Sequence, residues 1–345
     1  MKTILFCMNP YSFGILEPVM QVLKEKNHEF IWFIRPAILE KFPYQDQRFT
    51  SKIEDLVRFK SDAIFVPGNE VPHYLRGVKT QVFHGLAGEK KGHFRIRNYF
   101  DLYLTQGPYF TKWFSKAATR YKDFNVVQTG WSKLDVYGKA LHKYDSDKLA
   151  LLKKSKAKKI ILYAPTFSPS LTSAPHLLTQ IEELAKSKEY LVMIKFHDLM
   201  AEDMIDSYKK LSMSFENVLF IEERNIIKYL LIADLMISDT SSVVYEFLLL
   251  DKPVITFKNN SLAINWDNQL SFDGLVNRVA ENLLEDPFKQ QRLKILNEYH
   301  PYTDGNSAKR MVGAVEEYIK TNGVPEKRLI SWFRRYKINK IFKKI

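Results

Sequence analysis

Short apolar runs alternate along this chain with stretches whose apolar residues recur at helical spacing, and that alternation predicts βαβ units around parallel sheets. In the first half the strand candidates are Thr3 to Met8, Glu29 to Ile34, Ala63 to Val66, Thr80 to Phe83, Leu102 to Thr105 and Val126 to Thr129. Helical spacing covers Glu17 to Lys26 and Tyr109 to Tyr121. The passage from Lys139 to Lys159 is polar, lysine-rich and free of β-rich runs, so it reads as a connecting helix beside a boundary. The alternation then restarts, with strands expected at Ile160 to Tyr163, Tyr190 to Lys195, Val218 to Ile221, Leu235 to Ser238 and Val254 to Phe257. Helices are expected at Leu177 to Lys186, Met200 to Lys210, Ile226 to Ala233, Ser242 to Leu250, Phe272 to Glu285 and Ala308 to Thr321.

Two such halves in tandem predict an α/β protein of two facing Rossmann-like domains with a cleft between them. The expected division is 1–145, 146–323 and a tail over 324–345. A length of 345 residues suits two domains that each bury a core, and 46% hydrophobic with 26% charged residues is a folded-protein composition. No apolar run approaches the ~20 residues needed to span a bilayer, and MKTILFCMNP lacks the basic and apolar regions of a signal peptide. A cytoplasmic location is expected. The single Cys7 lies in an apolar run, reads as a core thiol and has no partner for an internal disulfide.

The formal charge of +13 is unevenly placed, because Lys327 to Ile345 carries eight Lys or Arg and no acid, leaving 13 − 8 = +5 for the rest. That tail also carries Leu329, Ile330, Trp332, Phe333, Ile338, Ile341 and Phe342, a mixture suited to the surface of an anionic membrane. Its apolar positions up to Tyr336 and those from Ile338 fall on opposite faces of one straight helix. A break near Lys337 would bring both onto one surface; the competing reading is a terminal helix docked on the body. A surplus gathered in the tail also argues against nucleic acid, which calls for basic residues and aromatics spread over one face.

Candidate chemistry sits at the ends of the expected strands. Gln81-Val82-Phe83-His84-Gly85 runs from a strand into a His-Gly corner, where His84 suits proton transfer and Gly85 allows a sharp turn. The loop that follows, residues 85–99, is basic and glycine-punctuated; it could hold an anionic acceptor, with Arg95 in it and His93 as a third proton carrier. In the second half, Tyr163-Ala164-Pro165-Thr166 follows one strand, and Lys195-Phe196-His197 ends another with Lys195 and His197 on one face. Asp239-Thr240-Ser241-Ser242 follows a third strand and opens a helix, where hydroxyls and free backbone N–H groups can cradle phosphate. Asp239 or Thr240 acting as a helix cap is the simpler alternative.

Taken in order, His84-Gly85, Gly130-Trp131-Ser132-Lys133-Leu134-Asp135, Tyr163-Ala164-Pro165-Thr166-Phe167, Lys195-Phe196-His197, Ser238-Asp239-Thr240-Ser241-Ser242, Lys252-Pro253-Val254 and Asp304-Gly305 resemble the CDP-glycerol glycerophosphotransferase family. Those enzymes are polymerases and primases of teichoic acids and related capsule polymers. The resemblance implies a GT-B fold, a CDP-alditol donor, and transfer of alditol phosphate, glycerol phosphate first, to a hydroxyl of a lipid- or glycan-linked acceptor with release of CMP. It implies His84 and His197 as the catalytic pair, with either as the base. Pro165, Thr166, Lys195, Asp239, Thr240, Ser241, Ser242 and Glu246 would hold the donor; Gly85, His93, Arg95, Lys133 and Asp135 would serve the acceptor side. The chain departs from the family's Gly-x-Pro-Arg-x-Asp, Asp-Tyr-Ser-Ser and His-Pro at Ser132-Lys133, Thr240 and Asp198, which bears on the identity of the alditol. Neither a cofactor nor a built-in metal site is expected, since no HExxH, EF-hand loop or Cys cluster occurs. The competing readings are a GT-B glycosyltransferase or UDP-sugar 2-epimerase-like enzyme, and a non-catalytic binder of anionic polymer. The expected location is the inner face of the cell membrane, peripherally bound.

Overall fold

A computed structural model describes residues 1–342 apart from 87–92, 139, 224, 262 and 263. The chain forms two compact units, one of Met1–Lys139 with Glu298–Ile345 and one of Ala140–Asn297.

In the first unit lie β1 (Lys2–Cys7), α1 (Ser12–Glu25), β2 (Glu29–Ile34), β3 (Phe49–Thr50), α2 (Ile53–Phe59), β4 (Ala63–Val66), β5 (Val78–Gln81), β6 (Leu102–Thr105), α3 (Pro108–Tyr121) and β7 (Asn125–Gln128). The strands form one parallel sheet in the order β3-β2-β1-β4-β5-β6-β7, with Leu5 opposite Trp32 on one side and Phe65 on the other. Ile4 to Cys7 are fully buried, because a parallel strand covered on both faces presents no polar side to water. The order reverses between β1 and β4, and such a switch point opens a crevice at the strands' carboxyl ends.

The second unit contains α4 (Asp145–Ser155), β8 (Lys159–Tyr163), α5 (Ala174–Lys186), β9 (Tyr190–Ile194), α6 (Glu202–Ser214), β10 (Val218–Phe220), α7 (Ile227–Ile232), β11 (Leu235–Ser238), α8 (Val243–Leu248), β12 (Val254–Phe257), β13 (Asp267–Gln269), α9 (Leu275–Leu284) and most of α10 (Lys289–Tyr299). Its parallel sheet runs β10-β9-β8-β11-β12-β13, with the switch point between β8 and β11. Ile161, Val192, Ile237 and Ile255 pack there with Leu177 and Ile181 of α5 and Val279 of α9.

The sequence-based elements recur with three informative differences. The edge strands β3 and β13 are too short to show a pattern. β5 stops at Gln81, ahead of the expected Phe83, because Phe83 adopts φ 58° and turns the chain out of the sheet. The third difference concerns boundaries. Residues 298–323, expected in the second domain, belong to the first unit, where α11 (Ser307–Asn322) begins on Asp135: its carboxylate accepts from Ser307 N at 2.7 Å and Ala308 N at 2.8 Å. Gly130 beside it has φ 84°, and a Cβ there would collide with the Ser307 side chain.

The tail is likewise part of the first unit, not a separate segment. Buried Arg328 donates to Asp101 Oδ1 at 2.6 Å, Asp123 Oδ2 at 3.0 Å and Asn98 O at 2.8 Å, and Pro325 O accepts from Gly77 N at 2.9 Å. Then α12 (Trp332–Phe342) runs unbroken through Lys337, contrary to the expected break. Its two faces do different work. Ile338 is buried with Ile330, Phe6, Phe33 and Phe83, while Trp332, Phe333 and Tyr336 point outward at 79%, 63% and 65% exposure. No helix among the described residues is long and apolar enough to cross a membrane.

Candidate active site

In the second unit the site grows from the β8 and β11 ends. Asp239 is fully buried; its Oδ1 accepts from Thr166 N at 2.8 Å, and its Oδ2 from Ser173 N at 2.8 Å and Ser173 Oγ at 3.0 Å. Burial pushes this carboxyl up to about 6, against the downward pull of those donors. Expected to touch the donor, Asp239 is instead occupied with shaping the 164–173 loop. Ser238 Oγ adds a bond to Ala164 O at 2.7 Å, and Asn259 Nδ2 holds the Asp239 carbonyl at 2.8 Å. Thr166, Thr240, Ser241 and Ser242 remain partly accessible beside this braced corner, while Pro165 and Glu246 are buried in its walls. No side chain caps α8, so Asp239 and Thr240 do not act as its cap.

Lys195 and His197 end one strand with different surroundings, Lys195 buried and His197 exposed. Lys195 is 7% exposed and donates its Nζ to Phe196 O at 2.7 Å, and burial lowers its pKa. A buried ammonium turned to a backbone carbonyl anchors the strand end. His197 is exposed, with its ring against Phe167 at a centroid separation of 4.4 Å. Its Nδ1 lies 3.1 Å from Leu199 N. An amide N–H can only donate, so Nδ1 is the lone-pair nitrogen and the neutral ring carries its hydrogen on Nε2. Partial desolvation lowers the His197 pKa, Asp198 opposes that, and Lys195 adds to it.

The first unit holds the opposite arrangement. His84, also exposed, has Nδ1 3.0 Å from Pro67 O. A carbonyl can only accept, so here Nδ1 carries the hydrogen and Nε2 is the basic nitrogen. Tyr11 lies against the ring, with centroids 5.2 Å apart. Gln106 Nε2 donates to Gly85 O at 3.1 Å. The sharp turn expected of Gly85 is made one residue before His84, at Phe83; a Cβ on Gly85 would meet nothing within 4 Å.

Three other expected acceptor-side residues have different work. His93 stacks on Phe83 with centroids 5.6 Å apart and sits near Phe94 and Phe110; burial, then the neighbouring His84, lowers it to about 4. The His93 ring is neutral at pH 7 and packed among aromatics. Asp135 caps α11, and the Lys133 ammonium lies over the Trp131 ring at 5.4 Å. Arg95 is exposed. The middle of the basic loop, 87–92, lies outside the described residues. Tyr11, Pro67, Gln106 and Ser173 carry no motif and escaped the sequence reading; the one available signal was that Pro67, Gln106 and Tyr11 come just after predicted strands.

Comparison with known proteins gives a consistent picture. A family model described as CDP-glycerol:poly(glycerophosphate) glycerophosphotransferase matches residues 77–262, just over half of the chain. The teichoic acid glycerol-phosphate primase of Bacillus subtilis (strain 168) is 28% identical over 229 residues, which cover 63% of this chain and 58% of the primase. The teichoic acid ribitol-phosphate polymerase TarL of Staphylococcus aureus (strain NCTC 8325 / PS 47) is 28% identical over 326 residues, covering 81% of this chain and 54% of TarL. The chain thus spans little more than half the length of these relatives. Among solved structures, a variant of the wall teichoic acid polymerase TagF soaked with CDPG superposes with a TM-score of 0.69 at 16% identity, covering 93% of this chain and 88% of that one. That likeness establishes the fold, two Rossmann-like units of GT-B type.

Proposed function

Because the chain belongs to the CDP-glycerol:poly(glycerophosphate) glycerophosphotransferase family, we propose that it transfers an alditol phosphate, glycerol phosphate first, from a CDP-alditol to a hydroxyl of a lipid- or glycan-linked acceptor in cell-surface polymer synthesis. In this reading His84 Nε2 takes the proton of the acceptor hydroxyl, and the oxygen attacks the phosphorus that bears the alditol. The bond from that phosphorus to the oxygen of CMP breaks, and CMP leaves with the electron pair. His197, with its hydrogen on Nε2, donates to the phosphate oxygens as charge builds on them. Thr166, Thr240, Ser241 and Ser242 supply further donors, and Asp239 and Lys195 hold the loops that carry them.

The observation that carries this reading is the opposite anchoring of the two histidines, on Pro67 O in one unit and on Leu199 N in the other. It supports reading His84 as the base and His197 as the donor. The test is CMP release from CDP-glycerol and CDP-ribitol. Wild-type protein should release CMP from at least one of them, and thermal stabilisation by the CDP-alditol should exceed that by UDP-sugars. Stronger stabilisation by a UDP-sugar, with no CMP formed, would favour the glycosyltransferase or epimerase-like alternative.

The acceptor chemistry fits a site at a membrane surface. The outward face of α12 sets Trp332, Phe333 and Tyr336 beside exposed Lys337 and Lys340, an aromatic and cationic mixture suited to the headgroup region of an anionic bilayer. We assign this face to peripheral contact with the inner side of the cell membrane. Sedimentation with anionic vesicles, retained by wild type and lost by the Trp332→Ser, Phe333→Ser, Tyr336→Ser triple variant, tests it; equal recovery of both would end it.

A further inference from the structure

The connection between β1 and α1, Met8 to Tyr11, lies outside the family-matched residues 77–262 and contains no recognisable motif. It nonetheless reaches the switch point of the first sheet, where β1 and β4 end side by side. Pro67 directly follows β4, and its carbonyl holds His84 Nδ1. From the β1 side comes Tyr11. Its ring lies on the His84 imidazole at 5.2 Å between centroids and 29° between planes, although Tyr11 is itself 43% exposed. Its hydroxyl is tethered by Asn9 Nδ2 at 3.0 Å.

An exposed aromatic side chain gains little from burial and loses rotamer freedom when it is held still. Here a hydrogen bond at the far end of the ring fixes it, and what the ring then fixes is the imidazole. A hydrogen bond at Nδ1 does not by itself set the plane of the ring, since the second torsion of a histidine side chain is broad. A ring stacked on its face closes off that torsion. The stack also favours the charged imidazole formed on proton uptake, because the π face of a phenol is negative.

We propose that Tyr11, tethered by Asn9, is a positioning residue for the reaction: its ring and the Pro67 carbonyl together fix the His84 plane so that Nε2 meets the acceptor hydroxyl. This rests on His84 being the base. Misplacing a reacting group by about 1 Å can cost up to 10²-fold in rate, and losing the stack belongs in that range.

The experiment compares wild type with Tyr11→Ala, Tyr11→Leu, Tyr11→Phe and His84→Ala in CMP release from CDP-glycerol, alongside the His84 imidazole proton shifts by NMR, which need no turnover. Tyr11→Ala and Tyr11→Leu should each lower kcat by roughly ten- to a hundredfold with the donor KM unchanged. Tyr11→Phe, which keeps the ring but loses the Asn9 tether, should fall between wild type and Tyr11→Ala. The His84 proton shifts should move in the Ala and Leu variants, as loss of a stacked ring requires, and move less in the Phe variant, which keeps the ring without its tether. A kcat unchanged in both Tyr11→Ala and Tyr11→Leu beside an inactive His84→Ala would overturn the proposal and leave the proposed reaction standing. Unmoved imidazole shifts, or a raised donor KM with kcat intact, would overturn it equally. Full turnover by His84→Ala would instead remove the base, and with it the reading on which the proposal stands.

Discussion

His84 and His197 sit at corresponding places, each just past a strand of a parallel sheet in its own unit, yet their surroundings give them opposite chemistry. A carbonyl holds Nδ1 of the first and an amide N–H holds Nδ1 of the second. The residue type says only that a proton can be handled; the partner of the other nitrogen decides in which direction. The scaffolding differs as well. The second unit braces its site with nearby loops, Asp239 joining the β8 and β11 ends through Thr166 and Ser173. The first unit braces its side with chain far away in sequence, as Arg328 reaches Asp101 and Asn98 and Arg334 Nη2 donates to Ile96 O at 3.2 Å.

The largest effect that would sharpen this contrast is on turnover. His84→Ala should lower kcat by about 10³-fold, within the usual span for a lost general base, and His197→Ala by about 10²-fold, as for a lost donor to a developing negative charge. Equal losses, or the reverse ranking, measured as CMP release under saturating CDP-glycerol, would break the assignment. Next comes the bracing of the first unit. Arg328→Met leaves Asp101 buried without its cation and should cost about 3–5 kcal/mol of stability, read as a fall in Cm in urea; an unchanged midpoint would show the strap to be dispensable.

Asp239 offers a smaller, pH-dependent effect in the second unit. Its carboxyl titrates near 3.8 when unfolded and about 6 when folded, so between those values the folded chain keeps a proton that the unfolded chain has lost. The sign follows from linkage: this group makes stability fall as pH rises from about 4 to about 6 and adds no further change above that. Asp239→Asn should flatten that part of the stability–pH curve and raise the donor KM, because the amide offers one acceptor where two N–H groups and a hydroxyl converge. A curve of unchanged slope would contradict it.

How much of this was legible in the sequence depends on the range of the interaction involved. Ile4 to Cys7 and Ile160 to Tyr163 announce themselves because a strand buried on both faces must be apolar throughout. The strand-end positions of His84, His197 and Ser241 follow from the same pattern. The pairing of Arg328 with Asp101, or of Asp135 with the start of α11, leaves no local trace, since either partner alone looks like a surface charge. For the same reason the sequence left two readings of α12 open. Its apolar residues point two ways because one set enters the core beside Phe83 and the other faces solvent, and periodicity cannot tell a docked face from a free one. Nor could spacing reveal which hydrogen each imidazole keeps, for that is set by Pro67 and Leu199, whose backbone atoms carry no signal of side-chain type.

The most direct measurement is the ¹⁵N spectrum of the imidazole nitrogens of the 345-residue chain labelled at histidine, recorded at a pH where both rings are neutral and assigned with His84→Ala and His197→Ala. The account predicts the hydrogen on Nδ1 of His84 and on Nε2 of His197. The same tautomer in both rings, or the two exchanged, would contradict it.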